Sequence, residues 1–372
     1  MKDLIVYILL IGFNLSIHCQ VSNFKDKFEL PDQVKETSGL LFFKGKIITH
    51  NDSGDSANLY ELDSLNGNLL RTINITNATN VDWEDIAEDN THIYIGDFGN
   101  NNGNRTDLKI YKILKSDFEN SNTVTAEIIS FAYEDQTDFT TRPNNNNFDA
   151  EALIAYNNSL YIFSKNWLNA ETRVYKLPTL SGNYTAIKIS EANVEGLITG
   201  AVTSNDHIIL CGYDATAPFL IFISANRSPD ENVFSNGFEK YSFTNELGAG
   251  HQVEGITIFD DGKFYISREA SNNQFFTFTQ KLFEFTDNRA LTLGTKFNNK
   301  SLANIYPNPI KTSFIINSNK PIKDIYIYNL LGKKVLNSSS KNINISALKK
   351  GVYMIKILFD DRSFTSKKII KL

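Results

Sequence analysis

Cysteine and methionine are almost missing from this 372-residue chain, with two of each. The cysteines are Cys19 and Cys211. Cys19 ends a leader-like segment, and loss of that segment leaves one thiol and no intramolecular disulfide. Cys211 closes the apolar run Ile208–Cys211, which suits a buried strand thiol. Histidines number five, and no His-Glu-x-x-His, Cys-x-x-Cys or Gly-x-Ser-x-Gly occurs. The sequence signatures of zincins, paired-cysteine sites and nucleophile elbows are thereby excluded. Gly96-Asp-Phe-Gly-Asn-Asn101 has no Gly-x-Gly-x-x-Gly, so it is not a phosphate loop. Long helical periods are lacking, and after residue 15 no apolar run could span a bilayer.

What is present at the N-terminus reads as a secretory signal over residues 1–19. Lys2 supplies the positive charge, Leu4–Leu15 the apolar run, and cleavage is expected near Cys19–Gln20. A lipobox reading of Cys19 fits poorly, because His18 stands where a small residue is needed. Charge divides the rest. Residues 301–372 carry 13 Lys and Arg against 3 Asp and Glu, leaving 24 against 39 for residues 1–300. Such a split marks two units with different tasks. The acidic part argues against nucleic acid and suits cation binding or simple solubility. In the basic part the lysines are spread through alternating apolar strands, as on solvated strand faces.

A repeat organises the acidic part. Each copy has an acid, a small residue, an apolar strand and then a polar cluster. The copies begin at Glu36-Thr-Ser-Gly39-Leu40, Asp82-Trp-Glu84-Asp85-Ile86, Asp149-Ala-Glu151-Ala-Leu153, Val194-Glu195-Gly-Leu197 and Val253-Glu254-Gly-Ile256. Third strands follow in four copies, as in Lys109–Ile113, and a fourth strand is expected at Glu127–Ala132. Units of four strands recurring every 40–50 residues or so predict a β-propeller. The fold class is therefore all-β: a propeller of five or six blades over residues 25–290, a linker at 291–301, and a small antiparallel β-sandwich over 302–372. A sixth, divergent blade would have to lie between Glu84 and Glu151. Leu282–Phe285 and Phe28–Leu30 are expected to close the ring. The repeat resembles the six-bladed phytase-like and NHL-like propellers.

In an antiparallel blade the start of the first strand and the end of the second share one end. The repeated acids and the polar clusters should therefore face one mouth of the central channel. Glu36, Asp52, Glu84, Asp97, Glu151, Glu195 and Glu254 are the candidate ligands of a hard cation, calcium above all, which takes oxygen ligands in loose geometry. Lys165 and Arg268 could hold an anion beside it, and His251 is the candidate base. The expected function is ligand, cation or partner binding through this face; the alternative is a calcium-dependent phosphatase or esterase. Against both stands a structural role, with the acids capping strand ends. Asn51-Asp-Ser-Gly-Asp55 reads as a tight turn rather than half an EF-hand. His50 is expected at a surface turn, and Trp83 and Trp167 either between blades or under a sugar.

The tail opens with Tyr306-Pro-Asn-Pro309 and continues through Ile325-Tyr-Ile-Tyr-Asn-Leu-Leu-Gly-Lys-Lys-Val335, Leu348-Lys-Lys-Gly-Val-Tyr-Met-Ile355 and Thr365-Ser-Lys-Lys-Ile-Ile-Lys371. In this order the motifs resemble the type A C-terminal sorting domain of the type IX secretion system of Bacteroidetes. The resemblance implies handling by that machinery, export across the outer membrane, removal of the tail, and a body that is secreted or attached to the cell surface.

Overall fold

The computed structural model describes residues 21–204, 207–224, 232–272, 275, 277–288, 303–318, 320–329, 333–360 and 364–372. The expected leader at 1–19 and linker at 291–301 lie outside them. The chain divides into two compact units, Met1–Leu293 and Gly294–Leu372.

The first unit is a five-bladed β-propeller. β1 (Val21–Glu29) comes first and belongs to the last blade. Blade 1 holds β2 (Thr37–Phe43), β3 (Lys46–Asn51), β4 (Asn58–Asp63) and β5 (Leu69–Ile75). Blade 2 holds β6 (Trp83–Glu88), β7 (His92–Asp97) and β8 (Lys109–Leu114). The short α1 (Lys115–Asn120) and β9 (Thr123–Val124) then lead to its outer strand β10 (Glu127–Tyr133). Blade 3 holds β11 (Ala150–Tyr156), β12 (Ser159–Ser164), β13 (Glu171–Pro178) and β14 (Gly182–Asn193). Blade 4 holds β15 (Leu197–Ser204), β16 (His207–Tyr213), β17 (Pro218–Ser224) and β18 (Glu239–Ser242). Blade 5 holds β19 (Val253–Asp260) and β20 (Lys263–Arg268), then, after the small hairpin β21 (Ser271–Asn272) and β22 (Thr277–Phe278), β23 (Lys281–Asp287). β1 pairs antiparallel with β23 and completes that blade.

The inner strands β2, β6, β11, β15 and β19 stand side by side, and β19 returns to β2, so the ring is closed. No sixth blade fills the stretch from Glu84 to Glu151. That stretch instead supplies β9, which pairs parallel with β5, and β10, which pairs parallel with β14. Apolar clusters occupy the gaps between blades, such as Ile48, Leu59, Trp83 and Ile95 between blades 1 and 2. Middle strands are apolar on both faces because each is covered twice, as in Ile208–Cys211.

A ring of five blades brings its inner strands very close. Gly39 and Gly255 permit this: a Cβ on Gly39 would lie 2.5 Å from the Ile86 nitrogen, and one on Gly255 would lie 2.6 Å from the Ser38 carbonyl. Every inner strand carries a bulge near its start, between Thr37 and Leu40, Trp83 and Ile86, Ala150 and Ala152, Ile198 and Gly200, and Val253 and Gly255. Bulges turn a side chain out of the ladder. Here they set a ring of Ser38, Glu84, Glu151, Thr199 and Glu254.

The second unit has two antiparallel sheets. One holds β24 (Ala303–Tyr306), β25 (Ser313–Ser318) and β28 (Asn342–Asn344). The other holds β26 (Ile322–Asn329), β27 (Lys334–Ser338), β29 (Gly351–Phe359) and β30 (Phe364–Lys371). Phe314 and Ile316 from the first sheet and Ile325, Ile355 and Ile369 from the second share one core, giving a sandwich. Its first strand, β24, runs through the segment that sequence alone marks only as a boundary.

Candidate functional site

At one mouth of the channel a cavity of about 420 Å³ is lined by Asp52, Glu84, Glu151, Glu254 and Glu269, with Lys165, Trp167, Tyr213 and Gln252 beside them. Asn101, Asn102 and Asn144 form one side. The acids arrive by two routes. Glu84, Glu151 and Glu254 come from the inner-strand bulges, and Asp52 and Glu269 follow the ends of β3 and β20. Below them Asp85 closes the channel. Its buried carboxylate accepts the backbone N–H groups of Ile86, Leu153 and Ala201, from three blades, at 2.8, 2.8 and 3.2 Å.

Two carboxylate triads border the cavity, each with ligand atoms inside 4.8 Å: Asp52, Asp82 and Glu84, and Glu84, Asp149 and Glu151; Asp82 and Asp149 stand behind the lining. Their electrostatics differ. In the second triad Lys165 Nζ donates to both Glu151 oxygens at 2.6 Å. Asp149 accepts from the Asn100 N–H at 2.6 Å and from Trp167 Nε1 at 2.7 Å. Burial works against the ammonium, yet Glu151 and its acidic neighbours outweigh that and hold Lys165 charged, well above its usual value. The second triad thus already contains its cation.

No cation stands inside the first triad among the described residues. Glu84 is 3% exposed, and its Oε1 has no hydrogen-bond partner. That atom lies with the Asp82 carboxylate over Gly99, where a Cβ would meet Glu84 Oε1 at 2.0 Å and Asp82 Oδ2 at 2.6 Å. Burial, then the nearby charges of Glu151 and Asp52, push Glu84 well above the ordinary carboxylate range. Burial together with Asp82 raises Asp52 to about 9, and burial with Asp149 raises Asp82 to about 6. Burial also lifts Glu269 to about 7. Carboxylates forced together in this way hold protons until a cation replaces them.

Of the seven ligands expected from sequence, the cavity gathers Asp52, Glu84, Glu151 and Glu254. Glu36 and Glu195 are exposed and absent from its lining. The ring positions in blades 1 and 4 fall a few residues further on, at Ser38 and Thr199. Those hydroxyls donate to the Glu84 and Val253 carbonyls and stitch neighbouring blades. Glu195 instead occupies a turn with φ of 53°. Asp97 is fully buried behind the mouth and takes Arg105 Nη2 at 2.9 Å. Arg268 is turned to the Thr279 carbonyl and stacks near Phe278 and Phe283. His251 Nδ1 faces Arg268 Nη1 at 2.8 Å, and burial and that guanidinium pull its pKa to about 4. His50 is not at a surface turn. It is fully buried, edge-on to Trp83, which packs between blades. Asp55 binds Asn51 and Tyr60 within a tight turn.

Asp82 and Asp149 were not among the expected ligands. The signal for them is the repeated Asp-x-Glu of Asp82-Trp-Glu84 and Asp149-Ala-Glu151, which sets a second acid beside the lining glutamate in those two copies.

These features define a class: a five-bladed propeller with an acidic channel mouth, followed by a β-sandwich. Residues 304–371 match the family described as the secretion system C-terminal sorting domain. The chain therefore carries a type IX sorting domain and is a protein secreted or carried to the cell surface by that system. Among the described residues no helix is long and apolar enough to cross a membrane. No curated protein matches the chain. Similar solved structures include the PQQ-bound aldose sugar dehydrogenase of Streptomyces coelicolor, at 8% identity and TM-score 0.42, covering 71% of this chain and 97% of that one. A putative oxidoreductase (glucose dehydrogenase) of Thermus thermophilus is similar at 8% identity and TM-score 0.40, over 71% and 99%. A putative gluconolactonase is similar at 9% and 0.36, over 68% and 75%. At these identities and TM-scores the likenesses carry no information on activity.

Proposed function

We propose that the propeller is a binding module whose channel mouth takes a hard divalent cation, calcium first, on Asp52, Asp82 and Glu84. The observation that carries this reading is the buried, unpartnered Glu84 Oε1 set among the carboxylates of the first triad, none of which forms an ion pair among the described residues. Three carboxylates supply up to half or more of the about six to eight oxygens calcium takes, and water or a ligand in the cavity completes the shell. The second triad is spoken for by Lys165, so one cation is expected rather than two.

The hydrolase alternative draws less support. Lys165 is engaged by Glu151, Arg268 by Thr279, and His251 by Arg268. Calorimetric titration of calcium into the full-length protein tests the binding reading. One equivalent bound, with loss in Glu84→Gln, supports it. No heat and no thermal shift with calcium or other divalent cations would end it.

A further inference from the structure

The long connection between the second and third repeats makes no blade. It builds one wall of the channel mouth. Two asparagine-rich loops, 98–105 and 134–149, are laced together there. The Arg142 and Asn144 N–H groups donate to the Asn102 and Asn101 carbonyls at 2.8 and 2.9 Å. Asn146 Nδ2 donates to the Asn101 carbonyl at 3.0 Å, and Gln136 Nε2 to that of Gly103 at 2.9 Å. Asn104 Nδ2 bonds Thr141 Oγ1 at 3.0 Å. The Trp167 N–H joins the wall through the Asn146 carbonyl at 3.1 Å, while its Nε1 is fixed by Asp149.

This lacing uses backbone groups and the amides of Gln136, Asn104 and Asn146. The side-chain amides of Asn101, Asn102 and Asn144 take no part in it, and all three line the cavity. An amide offers a donor and an acceptor together, the same pair that a hydroxyl offers. The cavity's about 420 Å³ lies within the range of roughly 300–1,000 Å³ typical of small-ligand pockets. Its charge selects further. Five carboxyl groups, several of them holding protons, face the single ammonium of Lys165, which Glu151 already takes, so the lining offers an anion no free positive side chain. Trp167, held at both its backbone and its indole nitrogen and with Lys165 Nζ 4.9 Å from its ring centroid, adds the rest of its ring surface in a set orientation.

From these observations we infer that the mouth binds a neutral carbohydrate, its hydroxyls read by the Asn101, Asn102 and Asn144 amides beside Trp167. The inference rests on the same site as the cation reading, with sugar hydroxyls completing the cation's shell. Trp167 is one of two tryptophans, and the other, Trp83, is fully buried, so a sugar-induced change in indole emission that is absent from Trp167→Phe reports on the cavity.

The test titrates methyl glycosides of the common neutral hexoses, and their disaccharides, into the full-length protein with calcium and again with EDTA. Galacturonate and hexose 6-phosphates serve as anionic counterparts. At least one neutral glycoside is expected to change Trp167 fluorescence saturably, with no comparable response in Trp167→Phe. Asn101→Ala with Asn144→Ala should weaken it about tenfold, the size of one or two neutral hydrogen bonds. Saturable calcium binding with no response to any neutral glycoside overturns the carbohydrate inference and leaves the cation reading standing. An anionic sugar bound as tightly as its neutral counterpart overturns it too. Glycoside binding that persists in EDTA, in a protein that takes no calcium, overturns the cation reading and supports this one.

Discussion

Glu84→Gln should shift thermal stability in opposite directions with and without calcium. In chelator, Glu84 is buried, its Oε1 lacks a partner, and it faces Asp52 and Asp82. An unsatisfied buried polar group costs about 1–3 kcal/mol, and a charged one more. Glutamine keeps the shape, is neutral without having to take up a proton on folding, and can donate its amide to the Asp82 carboxylate. The variant should therefore gain about 1–2 kcal/mol in EDTA at pH 7, on the scale of that penalty. At this size each kcal/mol is worth about 2 °C, so the melting temperature should rise by a few degrees. With calcium at about a hundred times its Kd the wild type gains about 2.7 kcal/mol, or about 5 °C, which the variant forfeits. Circular dichroism melts of the full-length protein in EDTA and in calcium read both effects. A lower melting temperature in EDTA would make Glu84 a structural partner rather than a poised ligand. An undiminished calcium gain would place the ion elsewhere.

Gly99→Ala sets a methyl 2.0 Å from Glu84 Oε1 and forces the two carboxylates apart, so calorimetry should show calcium affinity down by about tenfold or more. Unchanged affinity would remove the first triad as the site. Lys165→Met leaves Glu151 buried and unpaired, which should cost about 3–5 kcal/mol in urea unfolding, and adding Glu151→Met should restore most of it. Equal losses in the single and double variants would refute the pairing. The pH dependence follows from Asp52 and Glu269, at about 9 and 7 in the fold against about 3.9 and 4.3 unfolded. Raised folded pKa values give stability that is full below about pH 4 and drains as pH climbs through 7 and then 9. Chelated protein should melt at falling temperatures from about pH 5 to pH 9, and calcium should flatten that slope. A level profile in EDTA would contradict the assignment.

Much of this architecture was legible because the repeat advertises it. Periodic apolar strands mark the blades, and Phe28–Leu30 with Leu282–Phe285 mark the closing pair. The channel mouth follows from strand direction alone, which is why Asp52, Glu84, Glu151 and Glu254 could be placed together. Register is harder. Val194-Glu195-Gly-Leu197 imitates the motif, but the bulge that aims a side chain inward falls at Thr199-Gly200, and a bulge leaves no composition of its own. Glu36 misleads in the same way, by two residues. Burial set by a neighbouring blade is also invisible: His50 is polar and precedes a turn, yet Trp83 from the next blade covers it. The asparagine wall is tertiary throughout. Its bonds join residues some forty positions apart, so the segment looks from sequence like room for another blade.

The way the ring is fastened has a mechanical consequence for a protein drawn out of the cell by its C-terminal end. The chain leaves the propeller from β23, which lies between β1 and β20 and is hydrogen-bonded to both. Tension drawn through the C-terminal segment therefore reaches a strand inside a sheet. It loads two antiparallel ladders lengthwise and together, where an edge strand could be peeled one bond at a time. The first described strand of the propeller thus acts as a clasp over its last, and a pull on the C-terminal end is shared before any blade can open.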